Sequence, residues 1–286
     1  MGSFRGIDAF EQVIAFIEKY EEKCQNEEKL PDGEKYASVE QVEGETIIVI
    51  VDPFMRRVHK YVPQSGDLLL MDATSNLDRS DTKLFHLMTP AAVGALPLGT
   101  IITSREDEKT ILKGLQMMKK ILPTYAFYGR GPNLGPVLGL TDDSDAERNA
   151  LRIAWPLIQL LLCFFHVLQA HWQFIFKSES KIEKKDKPAL LRMMRKIMYC
   201  ETQDDFDDAV DKMKESQEYN KYENYKKYME DKVMPRNKEW SLLHRITSQL
   251  PTNNVNVTNY VETSFRVTKE LKFNRHRAHN LVEMVR

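Results

Sequence analysis

Four consecutive apolar residues, Leu68-Leu69-Leu70-Met71, giving way to Asp72, constrain this chain more than any other feature. A run without polar alternation is the mark of a strand covered on both faces, and such strands belong to α/β sheets shielded by helices. Two more strand candidates follow at 83–88 and 96–103. Ser104 then reads as the N-cap of a helix reaching Leu122, with Ile111, Leu112, Leu115, Met118, Ile121 and Leu122 on one stripe. A fourth short apolar run, 137–140, leads into Thr141-Asp142-Asp143, after which Ser144 and Glu147 resemble a capping box. A fifth, 160–163, follows Pro156. The order β-β-β-α-β-α-β predicts an α/β domain with a mixed five-stranded sheet whose later strands run parallel, because each helix returns the chain across the sheet.

The flanking regions differ in character. Residues 7–23 repeat Phe10, Val13, Ile14 and Ile17 at helical spacing, and 25–35 are charged and turn-rich, so 1–45 read as a helix plus linker. The β-branched run at 46–51 precedes Asp52-Pro53, a helix start for a short basic helix ending at Tyr61. Residues 46–172 read as the first part of the core. Residues 173–255 are rich in Lys, Glu and Met and nearly free of Gly, with helical period at Leu190, Leu191, Met194 and Ile197, and read as an all-helical insertion. The last segment, 256–286, returns to the core. There a helix over 257–271 places Val257, Tyr260, Val261, Ser264 and Phe265 on one face with Glu262 at its edge.

Forty-one basic against 42 acidic residues leave a formal charge of −1, so bulk electrostatics demand no polyanionic partner and any nucleic-acid contact is local. Cys24, Cys163 and Cys200 are odd in number and far apart, which argues against a disulfide framework and for a reducing compartment. The longest apolar stretch, 157–168, is interrupted by Gln159 and His166 and is too short to cross a bilayer. A soluble intracellular protein with no membrane partner is expected.

Ligands of open α/β sheets gather at the carboxyl ends of strands, where Asp72 and Asp142 both stand. Glu262 could close the cluster from a terminal helix packed on the sheet. Three adjacent carboxylates resist joint ionisation unless a cation compensates them. Hard oxygen ligands suit Mg²⁺ or Mn²⁺, and two such ions about 3.5–4 Å apart can stabilise both the attacking and the leaving oxygen of a phosphoryl transfer.

Several short pieces, in this order and spacing, resemble Mutator-like element (MULE) transposases of the DDE class. They are Leu69-Leu70-Met71-Asp72-Ala73-Thr74, Ala95-Leu96-Pro97-Leu98-Gly99 and Leu140-Thr141-Asp142-Asp143. The segment Cys163-Phe164-Phe165-His166-Val167-Leu168-Gln169 with Trp172 follows, then Glu239-Trp240, then Thr258-Asn259-Tyr260-Val261-Glu262-Thr263-Ser264-Phe265. The resemblance implies a ribonuclease H-like core interrupted by a helical insertion, with Asp72, Asp142 and Glu262 as catalytic metal ligands for two Mg²⁺ or Mn²⁺ ions. It implies metal-dependent cleavage of double-stranded DNA at transposon ends followed by transfer of the 3′ end to a target. A nuclear site of action and a homo-oligomer, at least a dimer pairing two ends, are also implied. One alternative is a captured core that binds DNA or protein without cutting, in line with the lack of a recognisable zinc-finger module ahead of the core and an end inside a helical pattern; another is a ribonuclease H-like nuclease or exonuclease with no strand-joining step.

Each position also has a plainer reading. Asp143 and Asp145 compete with Asp142 but suit helix capping, and Glu270 competes with Glu262. Cys163 and His166 have metal-ligand spacing and could join His276 and His279 at zinc, although a buried Cys and a His orienting neighbours near the acids is the simpler account. Trp172 is a candidate base-stacking residue, with core packing the plainer expectation. The Gly129-Arg130-Gly131 loop precedes a strand and so does not fit a phosphate-binding loop. Arg266, Lys269, Lys272, Arg275 and Arg277 form a basic stripe that suits either DNA phosphates or a solvated helix face.

Overall fold

Leu68, Leu69, Leu70 and Met71 are fully buried, as a strand covered on both faces requires. They open the third of seven strands: β1 (Ala37–Val42), β2 (Glu45–Ile50), β3 (Leu68–Thr74), β4 (Lys83–Ala91), β5 (Gly94–Thr103), β6 (Leu138–Thr141) and β7 (Gln159–Leu162). The longer helices are α1 (Ile7–Glu27), α2 (Pro53–Tyr61), α3 (Glu108–Ile121), α4 (Asp145–Ala154), α5 (Phe164–Phe176), α6 (Lys187–Met198), α7 (Gln203–Glu215) and α8 (Asn259–Val267). This computed structural model describes residues 7–272 apart from 32, 76, 79, 80 and 93. The chain forms two units, one from the segment up to Gln159 together with that from Thr258 onward, the other Leu160–Val257.

The sheet has the order β1-β2-β5-β4-β3-β6-β7. β1 through β5 pair antiparallel, and β3 pairs parallel with β6. The sheet is therefore mixed and seven-stranded, where five strands were expected. The β-branched run at 46–51 supplies β2. The residues expected to be linker supply β1, an edge strand carrying Glu40 and Gln41, whose polar sequence conceals it.

α3 covers β2 and β5, and its expected stripe is buried at Ile111, Leu115, Met118 and Ile121. Gly114 lets the helix come close, since a Cβ there would lie 2.6 Å from Ile101 Cγ2. The cap differs from expectation. Asp107, rather than Ser104, caps the helix by accepting the Thr110 N–H at 3.0 Å, while Ser104 Oγ takes the Thr46 N–H at 3.1 Å. Asp52 caps α2 as expected, accepting from the Met55 N–H at 2.7 Å. α2 turns Met55, Val58 and His59 inward. Burial holds the His59 ring down at about 4, hence neutral, with Nε2 3.0 Å from Leu98 O and Nδ1 accepting the Phe127 N–H at 3.1 Å.

The second unit is helical and starts at Leu160, earlier than the expected boundary at 173, so α5 belongs to it. Leu190, Met194 and Ile197 of the predicted stripe are fully buried, joined by Phe206, Met213, Tyr225 and Trp240. Arg245, on the short helix Leu242–Thr247, ties this unit together. Its Nη1 donates to Asn256 Oδ1 (2.6 Å), its Nη2 to Leu162 O (2.7 Å) and Glu239 O (3.3 Å), and the guanidinium lies over Phe164, 4.0 Å from the ring centre. Among the described residues no helix is long and apolar enough to cross a membrane.

Candidate active site

The parallel pairing of β3 with β6 sets the site. Leu68 faces Leu138, Leu69 faces Gly139 and Leu70 faces Leu140. Asp72 and Asp142 each lie two residues beyond the last of these pairs, so they stand level, on the same side of the sheet, on strands that run roughly 4.8 Å apart. β6 stops at Thr141, but β3 continues through Thr74 because β4 still pairs with it, His86 opposite Asp72 and Leu84 opposite Thr74. Asp72 therefore sits within its strand, not at its end as expected, with one neighbour strand paired and the other already gone. That opening is where a ligand can approach.

Local hydrogen bonds orient both acids. Asp72 Oδ1 accepts from the Ala73 N–H at 2.8 Å, and Asp142 Oδ1 accepts from the Ser144 N–H at 2.9 Å. The second bond alters the expected capping box. Ser144 Oγ does accept the Glu147 N–H (3.3 Å), but the reciprocal donor, Ser144 N–H, is taken by Asp142. Glu147 turns inward instead, only 1% exposed, and its Oε2 has no hydrogen-bond partner. Burial, and then the nearby charges of Asp142 and Asp72, push its carboxyl well above the usual carboxylate range. Beside it the equally buried Arg148 donates from Nη1 to Thr141 Oγ1 at 3.2 Å.

Glu262 arrives on α8, which packs on β3, β4 and β5 through buried Val261 and Phe265. Ser264 Oγ lies 2.9 Å from His86 Nδ1, and the Phe265 ring is 5.0 Å from the His86 ring. His86 is cross-strand to Asp72, so α8 lies over the face that carries the first acid. Glu262 is half-buried at the helix edge, and Tyr260, expected on the inner face, is 41% exposed. Among the described residues no three His, Cys, Asp or Glu side chains gather closely enough to hold a metal ion. Asp72 and Asp142 are thus brought level, and Glu262 is carried on a helix over β3, β4 and β5 without completing a closed triad.

The remaining candidates fall elsewhere. Cys163, His166 and Trp172 belong to the helical unit, where Cys163 is a buried free thiol at the N-cap of α5. Trp172 is 48% exposed and stacks on Phe176 at 4.6 Å, so the expectation of core packing fails: it lies on the outward side of α5, with Lys187 Nζ capping Phe176 at 4.3 Å. Asp143 and Asp145 are exposed and Ser144 provides the cap. Arg266 is exposed and Lys269 half-buried, while Lys272 lies in the last described turn. His276, His279, Arg275 and Arg277 lie outside the described residues. Sequence reasoning missed Glu147, whose available signal was its place three residues after a cap that directly follows Asp142.

No known family model matches the chain, and no curated protein matches it significantly.

Proposed function

We propose that this chain is the catalytic core of a DDE-class DNA transposase of the Mutator-like kind, built on a ribonuclease H-like sheet. The observation that carries the reading is the level placement of Asp72 and Asp142 on adjacent parallel strands where β6 ends. Supporting it are the chain order of β3 to β7 and helix α8, returning after a helical insertion to cover the Asp72 face.

The oxygen donors at this edge suit a hard divalent cation, because two half-buried carboxylates stand beside a buried carboxylate oxygen without a hydrogen-bond partner, an environment that a bound cation relieves. In this reading Asp72, Asp142 and Glu262 hold Mg²⁺ or Mn²⁺. When bound, such ions polarise the scissile phosphate and stabilise the entering and departing oxygens. The residues of the chain do the positioning. The Ala73 and Ser144 N–H groups hold one oxygen of Asp72 and one of Asp142 in place at the edge where the ligand would bind. α8 brings Glu262 over the face of β3 and β4 that carries Asp72, through the His86–Ser264 contact. Water, and afterwards a DNA 3′-hydroxyl, is the nucleophile for in-line displacement at phosphorus. Double-stranded DNA is the substrate, and an assembly of at least two copies pairs its ends.

The test is cleavage of DNA bearing terminal inverted repeats, with Mg²⁺ or Mn²⁺ and with EDTA. Metal-dependent nicking followed by joining of the 3′ end to a target is expected, and Asp72→Asn should lower it by about a thousandfold or more. DNA binding that persists in EDTA, with no strand breakage in Mn²⁺, would identify a captured, non-cutting core instead.

A further inference from the structure

Asp78 and Glu147 are both buried carboxylates of the sheet unit, 0% and 1% exposed, and the difference between them is informative. Asp78 has both oxygens in use, Oδ1 by the Thr82 N–H at 2.8 Å and Oδ2 by the Thr82 hydroxyl at 2.7 Å. Glu147 Oε2 has none, and among the described residues it is the only buried carboxylate oxygen so placed. An orphaned, desolvated carboxylate oxygen is unfavourable, and nearby acids make it more so. Those acids are here Asp142 and Asp72.

The placement follows from the local chain. Asp142 captures the Ser144 N–H that a capping-box glutamate would have accepted, so α4 starts with Glu147 released from its own helix end. Glu147 lies in the first turn of α4, which begins three residues after Asp142 and packs against β6. Its carboxylate is thereby carried under the same sheet edge where Asp72 and Asp142 stand level.

We propose that Glu147 is a further acidic group of the cation site, a ligand to the divalent ion shared with Asp72 and Asp142, directly or through one bound water. This rests on the reading of that edge as a metal site and adds to it a residue on α4 beyond Asp72, Asp142 and Glu262. Among the described residues no three acids already stand close enough to hold an ion, so binding draws the side chains on β3, at the β6 end and on α4 together around it, with Glu262 reaching from α8 over the Asp72 face.

The experiment uses the full chain without DNA and Mn²⁺ alone as probe, with free Mn²⁺ followed by electron paramagnetic resonance and the melting temperature recorded in parallel. Glu147→Gln is expected to weaken Mn²⁺ binding about tenfold or more, in the same direction as Asp72→Asn and Asp142→Asn. Its melting temperature in EDTA should not fall, whereas a merely structural glutamate would lower melting and leave affinity intact. Retained Mn²⁺ affinity in Glu147→Gln, with loss in Asp72→Asn, overturns the role of Glu147 and leaves the metal site standing. If the parent chain itself binds no Mn²⁺, both readings fall. Should the glutamine variant not fold, Glu147→Asp replaces it: its shorter reach weakens Mn²⁺ binding if the proposal holds, and unchanged affinity overturns it.

Discussion

Glu147 in the sheet unit and Arg245 in the helical unit are buried to nearly the same degree, 1% and 3% exposed, yet the fold provides for them differently. Arg245 reaches two backbone carbonyls and an amide oxygen and stacks on a ring, so its charge is spread over partners from its own unit. Glu147 Oε2 has no hydrogen-bond partner, and the carboxylates of Asp142 and Asp72 lie nearby. Arg245 also keeps one buried atom, Nε, without a partner, but its two Nη nitrogens are engaged and knit β7, the loop at Asn256 and a short helix into one piece. Unsatisfied burial beside like charge is a cost the rest of the fold must carry, and it makes sense where a cation is due.

That contrast breaks most easily at Arg245. Arg245→Met keeps the bulk over Phe164 but orphans Leu162 O, Glu239 O and Asn256 Oδ1, and should cost about 3–5 kcal/mol, read by urea denaturation. A loss under about 1 kcal/mol would show that the guanidinium is no tie at all.

The next effect is shared by both units and is set by pH. Burial holds His59 of the sheet unit and His171 of the helical unit each down at about 4 from the ordinary 6.5. The folded protein keeps both rings neutral while the unfolded chain takes up protons below about 6.5, so this stability is complete above that pH. It is lost as pH falls from 6.5 towards 4, by about 3 kcal/mol per ring. Denaturation curves between pH 7 and 4 should show the loss, and His171→Phe, which keeps a ring beside Tyr225 and Tyr228, should remove roughly half of it. An unchanged pH slope in that variant would mean that the helical unit's ring is not held neutral by burial.

What could be read from the residues divides along the same line. β3 was legible because burial on both faces leaves an unbroken apolar run, and the α6 stripe because one buried face repeats at helical period. β1 was not, since an edge strand is held by its ladder to β2 and needs no apolar pattern. Asp72 and Asp142 stood out individually as acids after apolar runs, but their level placement depends on the Leu70–Leu140 register, which no local pattern encodes. Trp172 misled because hydrophobicity speaks for burial, and only the packing of α5 shows which side faces out. Glu147 was hidden by a sufficient local explanation. Ser-x-x-Glu at a helix start reads as a capping box, and nothing short of the coordinates reveals that Asp142 has taken the donor.

The smallest effects sharpen the comparison furthest, because they separate the two halves of that one sequence pattern. A reciprocal capping box predicts that loss of either partner destabilises α4. The structure predicts opposite signs. Ser144→Ala removes the acceptor of the Glu147 N–H and should cost about 1 kcal/mol. Glu147→Gln, measured in EDTA at neutral pH, replaces the desolvated carboxyl whose Oε2 has no partner and should raise stability, on the order of 1 kcal/mol. Chemical denaturation of the two variants under identical conditions decides between the patterns. If both lose stability, Glu147 is an ordinary cap whose inward turn has no electrostatic cost, and the distinction between its burial and that of Arg245 disappears. If the signs differ, the fold is retaining Glu147 at a cost, next to the two acids that stand level at the edge of β6.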